Sequence, residues 1–393
     1  MTDTEALDVP RIIDDLARLV AFDTQNPPGR ELEAAQWLES AMAGTGFAAG
    51  TTDIMPGRTN VVGVLANGPG PTFAFNTHID VVPAGSGWTS DPFALRESGG
   101  RLYGRGACDA KGSMTAMLEA MRWLAQNRKL WSGTLLGVFV ADEEASSRGA
   151  KAYAATRPRI DACMVGEPTS CTTFSAHKGS LRPLVRVHGR TAHSGMPDLG
   201  INAILKSESL LRAIAAEHQR VKGSHHPLVG NPSLTITRAA AGVADNVVPD
   251  CCELLLDRRM IPGEDEDAVK AEIAALVARA ANEAGTTMEI LEFRPTTGGA
   301  TETADNDPIV TASQSACRLH HGHSTPLSGF QGGCDLVHFR SVGARGVVLG
   351  PGSLDVAHRP DEYVPIAELA TAAAIYRDVA LAMLSGGRAQ HLA

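Results

Sequence analysis

A histidine and an aspartate close an apolar run in the segment FNTHIDVVP, residues 75–83. His78 and Asp80 are two residues apart, so their side chains point to the same face of an extended chain. This spacing suits a histidine that binds a metal ion while a nearby carboxylate holds its other ring nitrogen. A solvated strand end is the commoner reason for such a pair. The interpretation therefore depends on further ligands at equivalent positions.

More candidate ligands follow other short apolar runs of the chain. Glu143 and Glu144 follow LLGVFV, Glu167 follows ACMV, and His358 lies in the loop beyond GVVLGPG. Asp109 lies in a Gly-rich segment that opens a predicted helix. In open α/β sheets, ligands bind outside the carboxyl ends of the strands, so we expect these residues to meet at one sheet edge. Their joint placement favours a functional site over a set of unrelated solvated residues.

This ligand set consists of nitrogen and oxygen atoms and requires no thiolate. It suits zinc, cobalt(II) or manganese better than an iron–sulfur cluster or copper(I). Two ions a few ångströms apart need a bridging carboxylate and two further ligands on each side. That number is supplied by His78, Asp109, Glu144, Glu167 and His358, with Asp109 as the natural bridge. Because the adjacent Glu143 and Glu144 point in different directions, one can bind metal while the other handles a proton.

The apolar periodicity predicts strands that alternate with helices in both outer parts of the chain. Helical spacing occurs at 8–22, 30–46, 112–126, 306–320 and 365–385. Strand-like runs occur at 59–66, 72–79, 133–144, 160–170 and 346–352. This order predicts an α/β domain with a mostly parallel central sheet flanked by helices.

The middle of the chain has a different rhythm. Its elements follow the order β-α-β-β-α-β, which is that of a ferredoxin-like unit. We therefore predict a discontinuous catalytic domain formed by residues 1–176 and 295–393. A separate domain, residues 177–294, is inserted into it.

Composition excludes several classes of protein. The chain is 44% hydrophobic and 20% charged, which is ordinary for a globular protein, and its 393 residues suffice for two domains. A formal net charge of −9 argues against nucleic-acid binding, which needs clustered positive charge. No apolar stretch approaches the roughly 20 residues that span a bilayer, and the acidic N-terminus does not read as a signal peptide. Seven scattered cysteines without a dense framework predict a reducing, cytoplasmic setting.

The residues above stand in segments that resemble a known enzyme family. The segments are THIDVVP, WTSDPF, LYGRGACDAKGS, ADEE, GEPTS, GRTAHSGMPDLGINAI and LGPGSLDVAHRPDEYVP, in family order over residues 10–385. They resemble the di-zinc deacylases and exopeptidases that include acetylornithine deacetylase, succinyl-diaminopimelate desuccinylase, carboxypeptidase G and the aminoacylases. Through AHKGSL, CCELLLDRRMIPG and the PDEY segment, the chain is most similar to acetylornithine deacetylase. That similarity implies a place in amino-acid, and specifically arginine, biosynthesis.

The resemblance implies a role for each residue of the candidate site. His78, Asp109 and Glu167 would bind one metal ion, zinc or cobalt(II). Asp109, Glu144 and His358 would bind the second. Asp80 would orient His78, and Glu143 would act as the general base. The resemblance further implies a cis peptide bond between Asp109 and Ala110.

Other implied residues lie in or near the inserted domain, which would serve as a lid and a dimerisation surface. His193 would reach into the partner subunit's site of a homodimer and stabilise the developing oxyanion. Asn246 and Arg258 would hold the carbonyl and carboxylate of the substrate, with Arg259 or Arg182 as alternatives to Arg258.

One segment departs from the acetylornithine deacetylase pattern. SGFQGGCDLVHF, residues 328–339, lines the substrate pocket in relatives, and here it resembles the broader deacylase pattern at Gly332, Gly333 and Asp335. Gly333 is accordingly a predicted substrate-binding residue. This departure leaves the acyl group and the amine open.

The leading interpretation is a metal-dependent hydrolase that cleaves the amide bond of an N-acyl amino acid. A metal-bridging water, from which Glu143 takes a proton, would attack the carbonyl carbon. The first alternative is a metallo-exopeptidase or carboxypeptidase that uses the same site on dipeptides or acyl-glutamates. The second is a catalytically silent binding protein with the same fold. The presence of every ligand and of the base in the sequence disfavours the second.

Overall fold

The structure, a computed structural model, describes residues 6–385. Helices and strands alternate within these residues as the periodicity predicts. The helices are α1 (Val9–Ala21), α2 (Leu32–Ala43), α3 (Lys111–Gln126), α4 (Arg148–Ala155), α5 (Ala203–Lys206), α6 (Glu208–Val221), α7 (Glu266–Ala284), α8 (Pro308–His321), α9 (Leu336–Ser341) and α10 (Ile366–Leu384). The first eight strands are β1 (Ala48–Met55), β2 (Arg58–Asn67), β3 (Thr72–His78), β4 (Arg96–Ser98), β5 (Arg101–Tyr103), β6 (Gly133–Val140), β7 (Ala162–Val165) and β8 (Phe174–His177). The remaining strands are β9 (Gly179–His188), β10 (Ser233–Ala241), β11 (Cys251–Met260), β12 (Met288–Arg294), β13 (Thr301–Glu302), β14 (Ser328–Phe330), β15 (Arg345–Val348) and β16 (Tyr363–Pro365).

These elements divide between two compact units. The larger unit contains the described residues up to 176, residues 302–330 and the residues from 334 onward. The smaller unit contains residues 177–301 and 331–333. Within residues 6–385, no helix combines the length and apolar character that crossing a membrane requires.

A nine-stranded sheet forms the centre of the larger unit, in the order β1-β2-β6-β3-β7-β15-β8-β13, with β14 paired to β8. Its central pairs β6–β3, β3–β7 and β7–β15 are parallel, whereas β1–β2, β2–β6 and β15–β8 are antiparallel. The parallel strands β3, β6 and β7 are mostly apolar and are buried along almost their whole length, as expected for strands covered on both faces. The four carboxyl ends of β6, β3, β7 and β15 consequently lie side by side.

Helices α1, α3 and α10 pack together on one face of this sheet. The helical spacing of Ile12, Leu16 and Leu19 places all three side chains in the core. Arg11 ties α1 to α3, because its Nε and one terminal nitrogen donate to the two carboxylate oxygens of Glu119 at 2.9 and 2.8 Å. The helix that begins beside Asp109 is thereby tied to α1.

The smaller unit is a four-stranded antiparallel sheet in the order β10-β11-β9-β12. Its chain order, β9-α5-α6-β10-β11-α7-β12, is the predicted β-α-β-β-α-β sequence of elements. The first helical segment of this order is divided into α5 and α6 at Ser207, whose hydroxyl donates to the carbonyl of Ile204 at 2.7 Å. The predicted fold class, an α/β domain with a ferredoxin-like insertion, is confirmed.

Strand β1 is an element that the apolar pattern does not predict. Its sequence AAGTTDIM contains no apolar run, and most of its side chains are exposed or half-buried. It forms by antiparallel pairing with β2 at the sheet edge, where register Ala48 to Val64 through Asp53 to Thr59 is continuous. Tertiary pairing therefore overrides a weak local signal here.

Candidate metal centre

His78 is the last residue of β3, and its ring is buried at the carboxyl edge of the sheet. Its Nδ1 lies 2.8 Å from the main-chain oxygen of Asp80, which makes Nδ1 the protonated nitrogen and leaves the Nε2 lone pair for a ligand. The carboxylate oxygen Oδ1 of Asp80 lies 3.8 Å from Nδ1, too far for a hydrogen bond. The expectation that the Asp80 carboxylate orients His78 is therefore corrected: the carbonyl of the same residue does so.

The Asp80 carboxylate instead holds the loop that follows β6. Its oxygens accept hydrogen bonds from the backbone N–H of Glu143 at 3.0 Å and of Glu144 at 3.2 Å. They also accept one from Nδ2 of Asn26 at 2.8 Å. Asp80 thus fixes the backbone of both adjacent glutamates rather than the imidazole.

Asp109 lies between the two histidines. Its Oδ1 is 3.1 Å from Nε2 of His78, and its Oδ2 is 3.2 Å from Nε2 of His358. Each oxygen faces a different ring, which is the arrangement of a bridging carboxylate. The peptide bond between Asp109 and Ala110 is cis, as the resemblance implied.

Glu362 anchors the backbone at Asp109, and sequence reasoning did not identify this role. Its Oε1 accepts hydrogen bonds from the N–H groups of Cys108 at 2.9 Å and Asp109 at 3.0 Å, and its Oε2 is paired with the buried guanidinium of Arg105. Glu362 follows His358 by four residues, so it also ties the loop of His358 to the loop of Asp109. The one sequence feature that could have indicated this role of Glu362 is its position in the PDEY segment.

Two further carboxylates complete the cluster. Oε2 of Glu144 lies 3.1 Å from Nε2 of His358, and Oε1 of Glu167 lies 3.9 Å from Nε2 of His78. Ligand atoms that surround a tetrahedral zinc ion at about 2.1 Å are roughly 3.4 Å apart. The observed separations of 3.1–3.9 Å match this value, so the donor set fits divalent ions in both positions.

The charges of the cluster also favour cations. Burial raises the pKa of Glu143, Glu144 and Glu167. Neighbouring negative charge raises these pKa values further, from Glu167 for Glu143 and from Asp109 for Glu144 and Glu167. Hydrogen bonds to Asp109 and Glu144 raise the pKa of His358 to about 11. The negative charge of these carboxylates favours protonation of the imidazoles. The same charge attracts divalent ions, which compete with protons for the imidazole lone pairs.

Glu143 occupies a distinct position in this cluster. Ligand atoms of His78, Glu143 and Glu167 lie within 4.8 Å of one another, and so do those of His78, Asp109 and Glu144. The side chain of Glu143 is buried, whereas the ring of His358 is half-exposed. A buried carboxylate beside the ligands, with a raised pKa, is suited to carry a proton.

Asp335 is another buried carboxylate of the larger unit. Burial raises its pKa to about 6, and the nearby charge of Asp80 acts in the same direction. Asp335 is the last residue of the GGCD segment and lies directly before the first residue of α9. The sequence pattern shows that Asp335 resembles the broader deacylase pattern, but it does not predict which groups the side chain contacts.

In the smaller unit, His193 and Asn246 lie on adjoining exposed loops. A short bridge joins His193 to Val247, and the N–H of Ser194 donates to the carbonyl of Asn246 at 2.9 Å. Nδ1 of His193 accepts a hydrogen bond from the N–H of Gly195 at 3.0 Å. The neutral ring therefore carries its proton on Nε2, which makes that atom a hydrogen-bond donor.

Arg258 is not placed to bind substrate, and this prediction is corrected. Its guanidinium is buried within the smaller unit, pairs with Glu264, and donates to the carbonyl of Arg259 at 2.5 Å. Successive strand residues face opposite sides of a sheet, so Arg259 points the other way. There it is partly exposed and pairs with Asp257, as Arg182 also does.

Gly333, the remaining predicted substrate-binding residue, packs against the chain of the smaller unit. A Cβ at this position would lie 3.1 Å from Cβ of Thr297. The close approach explains the need for a glycine here. It gives no direct sign of a ligand contact.

The arrangement of fold and site defines a class of enzyme. Residues 74–382 match the peptidase family M20/M25/M40. The chain belongs to this family and is a metal-dependent hydrolase of linear amides that works with two metal ions.

Sequence comparison points to particular relatives. The acetylornithine deacetylase of Vibrio atlanticus (strain LGP32) is 31% identical over 338 residues, which is 84% of this chain and 85% of that protein. The acetylornithine deacetylase of Vibrio vulnificus (strain CMCP6) is also 31% identical, over 83% of this chain and 85% of that protein.

Solved structures agree on the fold. The aminopeptidase PepT of Bacillus cereus ATCC 10987 has a TM-score of 0.77 at 22% identity, covering 96% of this chain and 99% of its own. The metallo-carboxypeptidase Sso-CP2 of Sulfolobus solfataricus has a TM-score of 0.79 at 18% identity, covering 95% and 99%.

Proposed function

We propose that this chain hydrolyses the amide bond of an N-acyl amino acid, as an acetylornithine deacetylase-like deacylase in arginine biosynthesis. The supporting observation is the position of Asp109, which presents one oxygen to each of two imidazoles beside the buried Glu143. The 31% identity to an acetylornithine deacetylase supports the choice of substrate class.

The proposed metal ligands are His78, Asp109 and Glu167 for one ion and Asp109, Glu144 and His358 for the other. Zinc is the proposed metal, with cobalt(II) as the alternative. When bound, such ions supply Lewis-acid activation of water and of a carbonyl group.

Glu143 is the proposed general base. Its buried carboxylate accepts a proton from the attacking water and later passes that proton to the leaving nitrogen. The raised pKa suits both steps, because the group must hold the proton between them.

We propose that His193 stabilises the negative charge that develops on the substrate carbonyl oxygen, acting in the partner subunit's site of a homodimer. Support comes from its exposed ring and from the proton on Nε2, which the hydrogen bond from Gly195 requires. Loss of one such donor typically costs about 10²–10³-fold in rate.

Arg259 replaces Arg258 as the proposed ligand of the substrate carboxylate. We expect Arg259→Ala to raise KM about 10- to 100-fold with little change in kcat, because a hydrogen bond to a charged group contributes about 1.5–3 kcal/mol. Steady-state kinetics of Arg259→Ala and of Arg258→Ala measures this change in KM. Arg258→Ala should lower the melting temperature but leave KM unchanged. A raised KM in Arg258→Ala or in Arg182→Ala, with a normal one in Arg259→Ala, would reverse the assignment.

The proposal is tested by metal content and a substrate panel. The purified protein should contain about two divalent ions per chain and hydrolyse N-acetyl-ornithine or another N-acetyl amino acid. A chelator should remove activity, and zinc or cobalt(II) should restore it. Metal-loaded protein that hydrolyses no N-acyl amino acid in the panel would refute the deacylase assignment.

A metallo-exopeptidase is the second candidate. It is supported by the departure of the segment at 328–339 from the acetylornithine deacetylase pattern, and by the fold shared with the aminopeptidase PepT and the metallo-carboxypeptidase Sso-CP2. Dipeptides and acyl-glutamates in the same panel separate the two candidates. A kcat/KM for dipeptides well above that for every N-acetyl amino acid would establish the exopeptidase.

A further inference from the structure

We infer that Asn26 is a positioning residue for the general base: its side-chain amide joins Asp80 to Asp142 and thereby fixes the loop that carries Glu143. The inference rests on the proposed function of Glu143. It assigns a role to the NPPG turn, which has no part in the ligand set. Asn26 itself touches neither a ligand nor the base.

The backbone brings Asn26 to the site although 54 positions separate it from Asp80. The N–H of Asn26 donates to the carbonyl of Val81 at 2.8 Å, and the N–H of Val81 donates to the carbonyl of Thr24 at 3.1 Å. This short parallel pairing lies directly beyond the end of β3. It places the buried amide of Asn26 next to the Asp80 carboxylate.

The amide nitrogen serves two carboxylates at once. Nδ2 of Asn26 donates to Oδ2 of Asp80 at 2.8 Å and to Oδ1 of Asp142 at 3.0 Å. Asp80 precedes the base in the chain and holds its N–H, whereas Asp142 is the residue immediately before the base. Asn26 therefore connects the two groups that determine where the Glu143 side chain begins.

Arg58 determines which way the amide faces. One terminal nitrogen of its guanidinium lies 3.4 Å from Oδ1 of Asn26, and the other donates to Oδ1 of Asp142 at 3.0 Å. Nε of the guanidinium donates to the buried Glu31 carboxylate at 2.8–2.9 Å, and the nitrogen that donates to Asp142 also lies 2.7 Å from Oε1 of Glu31. Because a cation faces Oδ1, the NH₂ group must face the carboxylates.

Asp142 needs this support because of its backbone conformation. Its φ is +70°, in the left-handed region that residues other than glycine rarely adopt. Its carbonyl accepts from the N–H of Ser147 at 2.6 Å, so the chain turns sharply directly before and after the glutamates. The turn directs Glu143 and Glu144 differently, and the Asp142 side chain is secured by Asn26 and Arg58.

Replacing Asn26 with aspartate tests the inference with almost no change in shape. Asn26→Asp exchanges the donor for an acceptor between two carboxylates, so the loop loses its tie and gains repulsion. A misplacement of about 1 Å at a catalytic group can cost about 10²-fold in rate. We expect kcat to fall about 30- to 100-fold while KM stays within about threefold and metal content is unchanged. Hydrogen exchange of the peptide covering 141–149 should accelerate.

Asn67→Asp is the matched control. The Asn67 amide also donates two hydrogen bonds, to the carbonyls of Arg128 and Trp131, both at 2.7 Å, on a segment remote from the ligands. The Asn67→Asp variant should be less stable than the wild type, while its kcat and the hydrogen exchange of residues 141–149 should be unchanged. Should Asn26→Asp fail to fold, Asn26→Ala removes the tie without adding charge and is expected to lower kcat about tenfold.

The outcomes separate the two proposals. Wild-type kcat and wild-type exchange at 141–149 in a folded Asn26 variant would overturn the positioning role. So would an equal loss of kcat in Asn26→Asp and Asn67→Asp. If the wild-type protein hydrolyses no amide, the proposed function fails, but hydrogen exchange still shows whether Asn26 fixes the loop.

Discussion

Glu143→Gln is expected to reduce kcat by about 10³–10⁴-fold, near the upper end of what general acid–base catalysis contributes. Glutamine has the same shape but cannot take the proton of water or return it to the leaving amine. Metal content should remain at the wild-type level, because the proposed ligands are other residues. The value of kcat is measured with the substrate identified in the panel, and the metal content is measured on the same sample.

Stability should respond in the opposite direction to activity. Burial and the neighbouring Glu167 raise the pKa of Glu143, so its ionised form opposes folding of the metal-free protein. The melting temperature of metal-free Glu143→Gln should therefore equal or exceed that of the wild type.

Glu119→Gln is the control, since Glu119 is also a buried carboxylate of the larger unit but pairs with Arg11 far from the ligands. It should lose stability and keep its kcat. Glu143→Gln that retains more than about a tenth of wild-type kcat would remove Glu143 as the base.

Asp109→Asn is expected to impair both metal positions together. The two carboxylate oxygens lie 3.1 and 3.2 Å from the two imidazoles, so in the proposed site each would serve a different ion. An asparagine keeps one carbonyl oxygen and presents an NH₂ group, which cannot bind a cation, to the other. We expect fewer than about one bound ion per chain after dialysis. Activity should fall by roughly 10³-fold or more, equivalent to about 4 kcal/mol of barrier.

The measurement is metal content by mass spectrometry alongside the absorption spectrum of the cobalt(II) form. Asp161→Asn is a suitable control. Its carboxylate accepts from the N–H of Thr72 at 2.7 Å, where β3 begins, at the opposite edge of the sheet from the ligands. That variant should bind two ions. An Asp109→Asn protein that also binds two ions and turns over normally would show that Asp109 does not bridge.

Most of the proposed ligand set follows from the periodicity of the sequence. Apolar runs that end in His78, Glu144 and Glu167 predict parallel strands, and parallel strands bring their carboxyl ends to one edge. These three residues lie at the end of their strands or follow them by at most four residues, whereas Asp109 and His358 lie in loops. Short separations along the chain leave little freedom in where these side chains lie.

Details of hydrogen bonding could not be predicted in this way. The carbonyl of Asp80 rather than its carboxylate contacts His78, since the choice depends on the local path of the chain by fractions of an ångström. Arg258 and Arg259 are adjacent in sequence. A shift of one residue in strand register exchanges the buried face for the open one, and a sequence pattern does not resolve that shift.

The sequence by itself determined most of the elements, their order and the chemical types placed at the strand ends, because these follow from local patterns of apolar and polar residues. Only the tertiary structure decided which groups hold the ligands and the base in place. Asn26, Arg58 and Glu362 come from distant parts of the chain, and their positions depend on how those parts pack. The physical reason is that hydrogen bonds between loops are set by packing of the whole unit, which no spacing within one segment encodes.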